Sequence, residues 1–468
     1  MPINSFENYP MSWKPVLVKQ SGAIYKTLAV LLEEDIKSGK LLPGTKLPPQ
    51  RELADYLDIN LSTVTRAFKL CEQRGLISAS VGNGTYVSSD IGTNTVIHIN
   101  TDNTEIIEMG AILPNAYPNL LVIDSMQKLL SEPGVEKLLQ YGSTEYTASQ
   151  REAAVLWIAQ ANYEVMPDNI LFSGGGQNGL AAVLSTFFQA GDRIGTDPLT
   201  YPGIKTVSKM FGIQLVPIDC NEGEMTEEGL INAFKNEKIK GIYIVSDYHN
   251  PTTHTMSVTA RKRIAKLAKQ NDIMIIEDGI NSLLKENPLP PVASYAPEHT
   301  IYIMSLSKVL SPGLRLAYIV APKRYYKQLS GGLYNLNITV SPLLVELASR
   351  LIYSGIAKKI AEERREYARE QNKIVNRELK AYKLHGEEEC PFRFIELPDT
   401  FTGKSFEICA KKEGVQVFGD ERFLVGNTPP KRAIRISITA ARSAEEFEKG
   451  IKIIKRILES EVEGEELL

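Results

Sequence analysis

The chain has 468 residues, of which 43% are hydrophobic and 23% charged, and its formal net charge is −3 at pH 7. This balance is typical of a globular protein with a substantial core. It excludes a uniformly basic coat for nucleic acid, so any DNA contact must come from a local surface. The four cysteines are widely separated, without the spacing of a zinc site or a disulfide framework, which indicates a reducing cytoplasm and no metal site. No apolar run approaches the roughly 18 residues that span a bilayer, and no secretory signal pattern is present, so we expect no membrane contact.

The N-terminal part of the chain predicts three helices followed by a β-hairpin. Apolar residues recur at helical spacing from Ile24 to Ile36, and a second, short helix is expected to start near Pro49. Ser62 has the side chain of an N-cap for a third helix, and the segment Gly82-Asn83-Gly84 has the composition of a hairpin turn. Three helices and a hairpin in this order are typical of a winged helix-turn-helix, which places one helix in the major groove of DNA.

The third predicted helix carries short hydroxyls and an arginine on the face opposite its apolar stripe. Such groups at the start of a helix suit contacts to phosphates and base edges, and glycines in the wing allow its backbone to approach DNA closely. The residues that we expect to contact DNA are Arg51, Ser62, Thr63, Thr65, Arg66, Gly82 and Gly84. The alternative is a helical protein-interaction module with an ordinary polar face.

Residues 18–88 closely resemble the GntR-family DNA-binding domain. The resemblance rests on three stretches in order: LPPQRELA at 47–54, STVTRA at 62–67, and GLI at 75–77 followed by GNGTYV at 82–87. It implies a double-stranded DNA operator as a partner. Residues 89–107 are rich in Ser, Asp, Asn, Thr and Gly, and we expect them to form a mostly flexible linker to the rest of the chain.

Beyond the linker, short apolar strands alternate with amphipathic helices, which predicts a mainly parallel sheet covered by helices on both faces. Ligands of such sheets lie outside the carboxyl ends of the strands. Those predicted ends carry a glycine-rich turn at 173–177 that suits phosphate, then Tyr201, Asn250 and Asp278. A carboxylate at the end of a buried strand is costly without a cation, and a protonated pyridine nitrogen would be such a cation. The alternatives are a plain tight turn for the glycines and core packing for Tyr201.

The stretch IYIMSLSKVLSPGLRLAYIV at 301–320 places one lysine in a short turn between two predicted buried strands. Ser305, Ser307 and Arg315 stand close to Lys308 in sequence and suit a dianionic phosphate. An amine beside a phosphate site indicates pyridoxal 5′-phosphate (PLP), which forms a Schiff base with lysine. The alternative is a lysine in an exposed loop.

Together and in this order, the motifs resemble those of fold-type I PLP enzymes of the aminotransferase class I/II group, over about residues 108–458. The resemblance implies a multidomain fold. A winged helix-turn-helix at 18–88 is followed by an α/β, PLP-binding large domain at 108–340, then by a C-terminal helix and a small α+β subdomain at 341–460. A GntR domain joined to such a region looks like the MocR/GabR-type regulators.

The resemblance implies a role at the cofactor for each motif. Lys308 matches the Schiff-base lysine, and Asp278 matches the aspartate that keeps the pyridine N1 protonated. Asn250 matches the residue that hydrogen-bonds the ring O3′, and Tyr201 matches the aromatic stacked on the ring. The residues that match the phosphate-binding cup are Gly175, Gly176, Gln177, Ser305, Ser307 and Arg315.

Two further roles follow from the same resemblance. Arg435 matches the arginine that pairs with a substrate α-carboxylate, and the alternation of the flanking isoleucines favours it over Arg432. Tyr141 matches a residue that reaches the cofactor phosphate across a dimer interface, because the family commonly forms homodimers.

The chain departs from the family pattern near the predicted O3′ contacts. Ile280 stands where many relatives carry a tyrosine, so that hydroxyl is missing unless Asn281 substitutes for it. Thr253 replaces the glycine of the usual Asn-Pro-Thr-Gly turn, and His249 stands where glutamine is frequent. These changes put efficient transamination in doubt, because O3′ contacts tune the imine pKa.

The leading hypothesis is a cytoplasmic, homodimeric, PLP-dependent transcriptional regulator. An amino acid or amine effector would react with or bind at PLP and alter DNA binding. The alternative is a PLP-dependent aminotransferase, for which Lys308, Asp278 and Arg435 supply the parts. A protein-interaction scaffold that uses neither site is a third hypothesis.

Overall fold

The computed structural model describes residues 11–17, 23–80, 84–88, 105–142 and 146–460. The N-terminal unit contains three helices and a two-stranded antiparallel hairpin, as predicted: α1 (Ile24–Lys37), α2 (Gln50–Leu57), α3 (Leu61–Gln73), β1 (Ile77–Ser80) and β2 (Gly84–Val87). Its core packs the buried faces of α1 and α3 together, through Leu28, Leu32, Val64, Phe68 and Cys71.

The start of α3 differs from the prediction by two residues. The N-cap is Asn60, which has an extended backbone and accepts a hydrogen bond from the Ser62 N–H over 3.3 Å. Ser62 is therefore inside the helix, because the cap is the residue whose backbone is still extended. Gly75 adopts the left-handed φ of +69° just past α3, the conformation that is typical of a C′ residue. Gly82 and Asn83 lie outside the described residues, and Gly84 begins β2.

A seven-stranded sheet, in the order β4-β12-β11-β10-β9-β5-β6, organises the next part of the chain. Its strands are β4 (Ile170–Ser173), β5 (Arg193–Thr196), β6 (Gln214–Pro217), β9 (Gly241–Ile244), β10 (Met274–Asp278), β11 (Thr300–Ser305) and β12 (Ala317–Val320). Neighbouring strands are parallel except where β12 is antiparallel to β11 and β4, which confirms the prediction of a mainly parallel sheet.

Helices cover both faces of this sheet. Along β11, Ile301 and Ile303 face one core cluster, while Tyr302 and Met304 face another. Such alternation follows from the two-residue period of a strand. The helices of this part are α4 (Asn119–Leu130), α5 (Ala148–Ala159), α6 (Gly176–Phe187), α7 (Pro202–Met210), α8 (Glu227–Lys235), α9 (Val258–Asn271), α10 (Val292–Tyr295) and α11 (Lys323–Asn337). Three short strands stand apart from the sheet: β3 (Ile107–Glu108), β7 (Cys220–Asn221) and β8 (Glu224–Met225).

The C-terminal part begins with two helices rather than with one continuous helical stretch. The break falls at Gly355, whose φ of +77° a helix interior does not allow. A four-stranded sheet in the order β13-β14-β17-β16 follows. The elements are α12 (Pro342–Tyr353), α13 (Ile356–Glu378), β13 (Leu384–His385), β14 (Phe392–Glu396), α14 (Gly403–Lys412), β15 (Val415–Gln416), β16 (Phe418–Gly419), β17 (Ala433–Ser437) and α15 (Ala444–Glu459).

The boundary between the large and small parts is bridged by β3. Ile107 and Glu108 pair in parallel with β15, so the start of the large region packs on the C-terminal part. Among the residues described, no helix is long and apolar enough to cross a membrane, and no group of three metal-ligating side chains occurs.

Candidate functional site

A cavity of about 190 Å³ opens at the carboxyl ends of the parallel strands, where the strand order predicts a ligand. Its wall contains the predicted residues Tyr201 after β5, Asn250 after β9, Asp278 at the end of β10, Lys308 after β11 and Arg435 from β17. The sheet thus brings together side chains that are far apart in sequence.

Lys308 lies in the turn between β11 and β12, half-buried, and its Nζ donates a hydrogen bond to the Ile112 carbonyl. Burial lowers the pKa of Lys308 to about 8, and the charges of Arg435 and Arg315 contribute to that lowering. The side chain therefore has an appreciable neutral, nucleophilic fraction near neutral pH.

Asp278 ends β10 and is only 4% exposed. It accepts hydrogen bonds from the Tyr243 hydroxyl over 3.0 Å and from the Ile280 N–H over 3.2 Å. Burial raises the pKa of Asp278 to about 6, although both hydrogen bonds oppose the rise. Both donors are neutral, so the carboxylate is still costly to bury without a cation in the cavity.

The glycine-rich turn and the lysine turn lie against each other, and we call the two together the phosphate cup. Gly175 has φ of +93°, and a Cβ there would lie 2.7 Å from Arg315 Nη2. Arg315 Nη1 donates to Ser307 Oγ over 3.3 Å, and a Cβ on Gly176 would lie 3.3 Å from Ser305 Cβ. The start of α6, where backbone N–H groups lack partners within the helix, lies beside a guanidinium and two hydroxyls, which together are a donor set for phosphate.

Gln177, the second residue of α6, connects this cup to the cavity. Its Nε2 donates to the Gly203 carbonyl over 3.0 Å, and its Oε1 accepts from the Tyr201 hydroxyl over 3.3 Å. Tyr201 is held in the cavity wall by this contact, and burial raises its pKa to about 12.

Arg435 enters the cavity from β17 and is 1% exposed. Its Nη1 donates to Asn250 Oδ1 over 2.7 Å, its Nη2 donates to the Gly110 carbonyl, and its Nε is buried without a hydrogen-bond partner in the part of the chain that the structure describes. Burial lowers its pKa to about 9. Arg432, the competing candidate, is instead exposed and pairs with Asp399 over 2.5 Å.

Two predicted features lie differently from the rest. Tyr141 is 85% exposed and outside the cavity of its own chain, so its predicted contact needs a second chain. Asn281 does line the cavity, as the substitute for a missing tyrosine would, and its Nδ2 donates to the Tyr248 carbonyl over 2.9 Å.

Tyr243 is the functional candidate that sequence reasoning missed. It stands in β9 opposite Ile276 of β10, and its hydroxyl reaches Asp278 two residues further on. The only signal in the sequence is an aromatic with a polar tip within a buried aliphatic strand, a residue type that usually finds a hydrogen-bond partner when it is buried.

The residues present fit PLP. A buried aspartate that receives only neutral hydrogen bonds matches a pyridinium, the cup of glycines and Arg315 matches a phosphate, and a half-buried lysine with a lowered pKa matches an aldehyde. The fit rests on Asp278, Arg315 and Lys308, which lie at or beside the ends of neighbouring strands.

The exposed surface of α3 carries four of the DNA-contact candidates, Ser62, Thr63, Thr65 and Arg66, while Arg51 stands in α2 and Gly84 begins β2. Arg51, Ser62, Thr65 and Arg66 are exposed, and Thr63 is half-buried. Thr65 Oγ1 donates to Gln50 Oε1 over 2.8 Å, which ties the start of α2 to α3. The Arg66 guanidinium lies 5.8 Å from the Tyr25 ring and is open to a phosphate.

The fold and the site define a winged helix joined to an aminotransferase-like domain, and comparison with known proteins specifies the family. Residues 114–454 match the family model "Aminotransferase class I and II", and residues 24–87 match "Bacterial regulatory proteins, gntR family". The chain belongs to the aminotransferase class I and II family and carries a GntR domain, the MocR-type architecture of transcriptional regulators.

Relatives share this arrangement along most of their length. The chain is 49% identical over 459 residues to the "Uncharacterized HTH-type transcriptional regulator YdeF" of Bacillus subtilis (strain 168), covering 98% of this chain and 99% of the relative. It is 23% identical over 362 residues to the "HTH-type pyridoxine biosynthesis transcriptional regulator PdxR" of Corynebacterium glutamicum, covering 73% and 75%. The chain is therefore a transcriptional regulator with an aminotransferase-like domain.

Solved structures show the same fold for the larger part. An archaeal alanine:glyoxylate aminotransferase superposes with a TM-score of 0.70 at 22% identity, covering 77% of this chain and 92% of that chain. LysN, the α-aminoadipate aminotransferase of Thermus thermophilus, gives a TM-score of 0.68 at 24% identity, covering 76% and 92%. The aminotransferase class I and II fold implies dependence on PLP.

Proposed function

We propose that this protein is a PLP-dependent, DNA-binding regulator in which an amino acid or amine effector reacts with or binds at PLP and alters DNA binding. The observation that carries the proposal is the meeting of Lys308, Asp278 and Arg435 around one cavity, in a chain that begins with a winged helix. PLP, when bound, supplies an aldehyde that condenses with amines and a ring that withdraws electrons.

The residues of the cavity would divide the work of holding cofactor and effector. Asp278 would hold the pyridinium, and Lys308 would carry the cofactor until an effector amine replaces it. Arg435 would hold an effector carboxylate, because its guanidinium is buried and its Nε has no hydrogen-bond partner among the described residues. An effector so bound would change the hydrogen bond that Arg435 now makes to Asn250.

The winged helix would bind the operator with α3 in the major groove, and Arg51 would contact the phosphate backbone of the DNA. The exposed Arg66 and Thr65 support this orientation, because both stand on the face of α3 opposite its buried stripe. A cytoplasmic location goes with this role.

A homodimer is part of the proposal. Tyr117, Leu120 and Ile123 are 73%, 61% and 51% exposed at three-residue spacing around the start of α4, and Leu139 and Tyr141 are 74% and 85% exposed nearby in sequence. Large apolar side chains in such numbers are typical of a protein–protein interface. A second copy covering this surface would bring Tyr141 toward the partner's phosphate cup, as the family resemblance implies.

A working aminotransferase is the second candidate, favoured by the same three cavity residues. Lys308 would move a proton at the effector Cα and Arg435 would orient the carboxylate, since both side chains line the cavity. Turnover of an amino donor with a 2-oxo acid at a steady rate would favour this candidate, whereas ligand-dependent DNA binding without turnover favours the regulator.

A PLP titration tests the proposal. The purified full chain should become yellow when PLP is added, and Lys308→Ala should lose the visible absorbance band while remaining folded. Lys285→Ala is a matched control, since Lys285 pairs with Glu387 outside the cavity. A wild-type chain that stays colourless with excess PLP would contradict the proposal.

A further inference from the structure

The DNA-binding unit contacts the seven-stranded sheet on the side where β5 and β6 lie. Arg193, the first residue of β5, donates from Nη2 to the Ala79 carbonyl of β1 over 3.3 Å. Glu72, in the last turn of α3, has its pKa raised by burial, and the nearby positive charge of Arg193 opposes that rise. Arg193 of β5 therefore contacts the hairpin and lies near the far end of the helix that would read DNA.

A second contact lies close by. A Cβ built on Gly426 would be 3.2 Å from Ser78 Oγ of β1 and 3.3 Å from Pro217 Cδ at the end of β6. Gly426 has φ of +59°, a left-handed conformation that glycine adopts without strain. The segment at 422–426 thus ends directly against the hairpin of the DNA-binding unit.

Backbone hydrogen bonds join segment 422–426 to the loop at 197–201, and we call these two segments the paired loops. The Thr200 N–H donates to the Phe423 carbonyl over 2.8 Å, and the Val425 N–H donates to the Pro198 carbonyl over 3.0 Å. These hydrogen bonds form an antiparallel bridge centred on Leu199 and Leu424. Paired in this way, the loops are constrained to move together rather than separately.

The other end of the paired loops is at the cavity. Tyr201, the last residue of the first loop, forms part of the cavity wall. The Phe423 ring lies 5.0 Å from the guanidinium centre of Arg435, and the Lys205 Nζ donates to the Arg422 carbonyl over 3.1 Å. The paired loops therefore touch the proposed cofactor ring and the proposed carboxylate clamp on one side and the DNA-binding unit on the other.

We propose that the paired loops couple the occupancy of the cavity to the position of the DNA-binding unit. This inference rests on the proposed function, because it takes PLP to bind in the cavity. A cofactor ring against Tyr201 would restrict 197–201, and a carboxylate on Arg435 would shift the Phe423 ring that lies beside its guanidinium. Either change reaches Ser78 through Gly426, and it reaches Ala79 through β5 and Arg193.

Amide hydrogen exchange of the full chain, with and without PLP, tests the coupling without knowledge of the operator or the effector. PLP should slow exchange of β1, residues Ile77–Ser80, at least about fivefold, the lower range of a coupling between two sites. Uptake of PLP is followed in the same samples by visible absorbance.

Two variants separate the contacts. Arg193→Gln should speed exchange of β1 about tenfold and make it insensitive to PLP, because a hydrogen bond from a charged donor is removed. Lys240→Gln is its control, since Lys240 pairs with Asp192, the residue just before Arg193, and within the described residues neither side chain hydrogen-bonds to the hairpin. Gly426→Asn can keep the left-handed backbone, but its side chain would press on Ser78. Gly355→Asn is its control, because Gly355 is also left-handed and a Cβ built there has no atom within 4 Å.

The outcomes are distinct. If the wild-type chain takes up no PLP, the proposed function fails and the coupling with it. If PLP binds but exchange of Ile77–Ser80 stays the same, the coupling alone is wrong. If Arg193→Gln and Gly426→Asn both exchange as their controls do, the paired loops do not carry it. A PLP effect in the wild type that both variants lose, with visible absorbance intact, supports the inference.

Discussion

The Tyr243 hydroxyl donates to Asp278 Oδ2 over 3.0 Å, from the strand next to the one that Asp278 ends. This hydrogen bond favours the charged form of the acid, yet burial outweighs it and the pKa of Asp278 rises to about 6. The pair thus leaves an incompletely satisfied carboxylate at the cavity wall, which a cation in the cavity would satisfy.

The stability of the PLP-free chain should fall as the pH rises and Asp278 ionises. In Tyr243→Phe, this fall should continue to a higher pH than in the wild type. The folded state holds Asp278 above its ordinary pKa of 3.8, so the contribution of this acid is fully present below about pH 4. This contribution is lost as the pH rises through the folded-state pKa of about 6. Removing the Tyr243 hydroxyl raises that pKa further, so the loss is complete only at a higher pH. Urea-induced unfolding across this pH range gives the measurement.

Two variants bracket that result. Asp278→Asn should remove the contribution, about 3 kcal/mol of unfolding free energy between pH about 4 and about 6. Tyr318→Phe should leave the profile unchanged, because the Tyr318 hydroxyl is buried in the described part of the chain without a hydrogen-bond partner. Identical profiles for wild type and Tyr243→Phe would show that the hydroxyl does not act on Asp278.

The role of Tyr243 also marks where prediction from the sequence ends. The order of motifs at strand ends predicted that Asp278, Asn250 and Lys308 meet, because parallel strands bring their carboxyl ends to one edge. The Tyr243–Asp278 contact depends on the register between β9 and β10, which no local pattern fixes. The order of motifs therefore predicted which residues form the site, but not all of the hydrogen bonds among them.

The two corrections to the secondary structure have local causes. Asn60 caps α3 instead of Ser62. Both residue types are good N-caps, so the cap is decided by which residue keeps an extended backbone, and the sequence does not show that. The break at Gly355 was hidden by helical periodicity on both sides of it. The role predicted for Tyr141 stays a prediction, because a single chain leaves that side chain exposed.

Gly175→Ala should weaken PLP binding about 10- to 100-fold. The added Cβ would lie 2.7 Å from Arg315 Nη2 and displace the guanidinium from the cup, which removes a charged hydrogen bond to phosphate. Gly191→Ala is the control, because Gly191 has the same φ of +93° but nothing within 4 Å. Titration by visible absorbance compares the two, and equal affinities would place the phosphate elsewhere.

Arg435→Lys should abolish the response to carboxylate-bearing effectors while PLP still binds. A lysine cannot form the bidentate pair, so amino acids that change the PLP spectrum of the wild type should bind about 10- to 100-fold more weakly. Matching amines without a carboxylate should be unaffected. Arg432→Lys, which alters an exposed ion pair with Asp399, is the control. A loss of amino-acid response in the control alone would reverse the assignment.

Leu120→Glu should weaken self-association. Leu120 is 61% exposed at the start of α4, among the apolar residues that a second copy would cover. A buried charge without a partner is costly, so the dimer should dissociate at concentrations where the wild type remains dimeric. Sedimentation equilibrium gives the masses. Ile408→Glu, at a site 51% exposed on α14, should have no effect, and a monomeric wild type would contradict the dimer.

Arg66→Ala should weaken DNA binding at every sequence and reduce its dependence on salt. Arg66 is exposed on α3, and removing one phosphate contact reduces the slope of log affinity against log salt by about one. The measurement is fluorescence anisotropy with a labelled mixed-sequence duplex over a series of salt concentrations. Lys40→Ala is the control. Lys40 follows α1 and pairs with Asp35, so its removal should leave the wild-type slope unchanged. Equal slopes for Arg66→Ala and the wild type would mean that α3 does not present Arg66 to the phosphates, and a different face of the winged helix would then have to contact DNA.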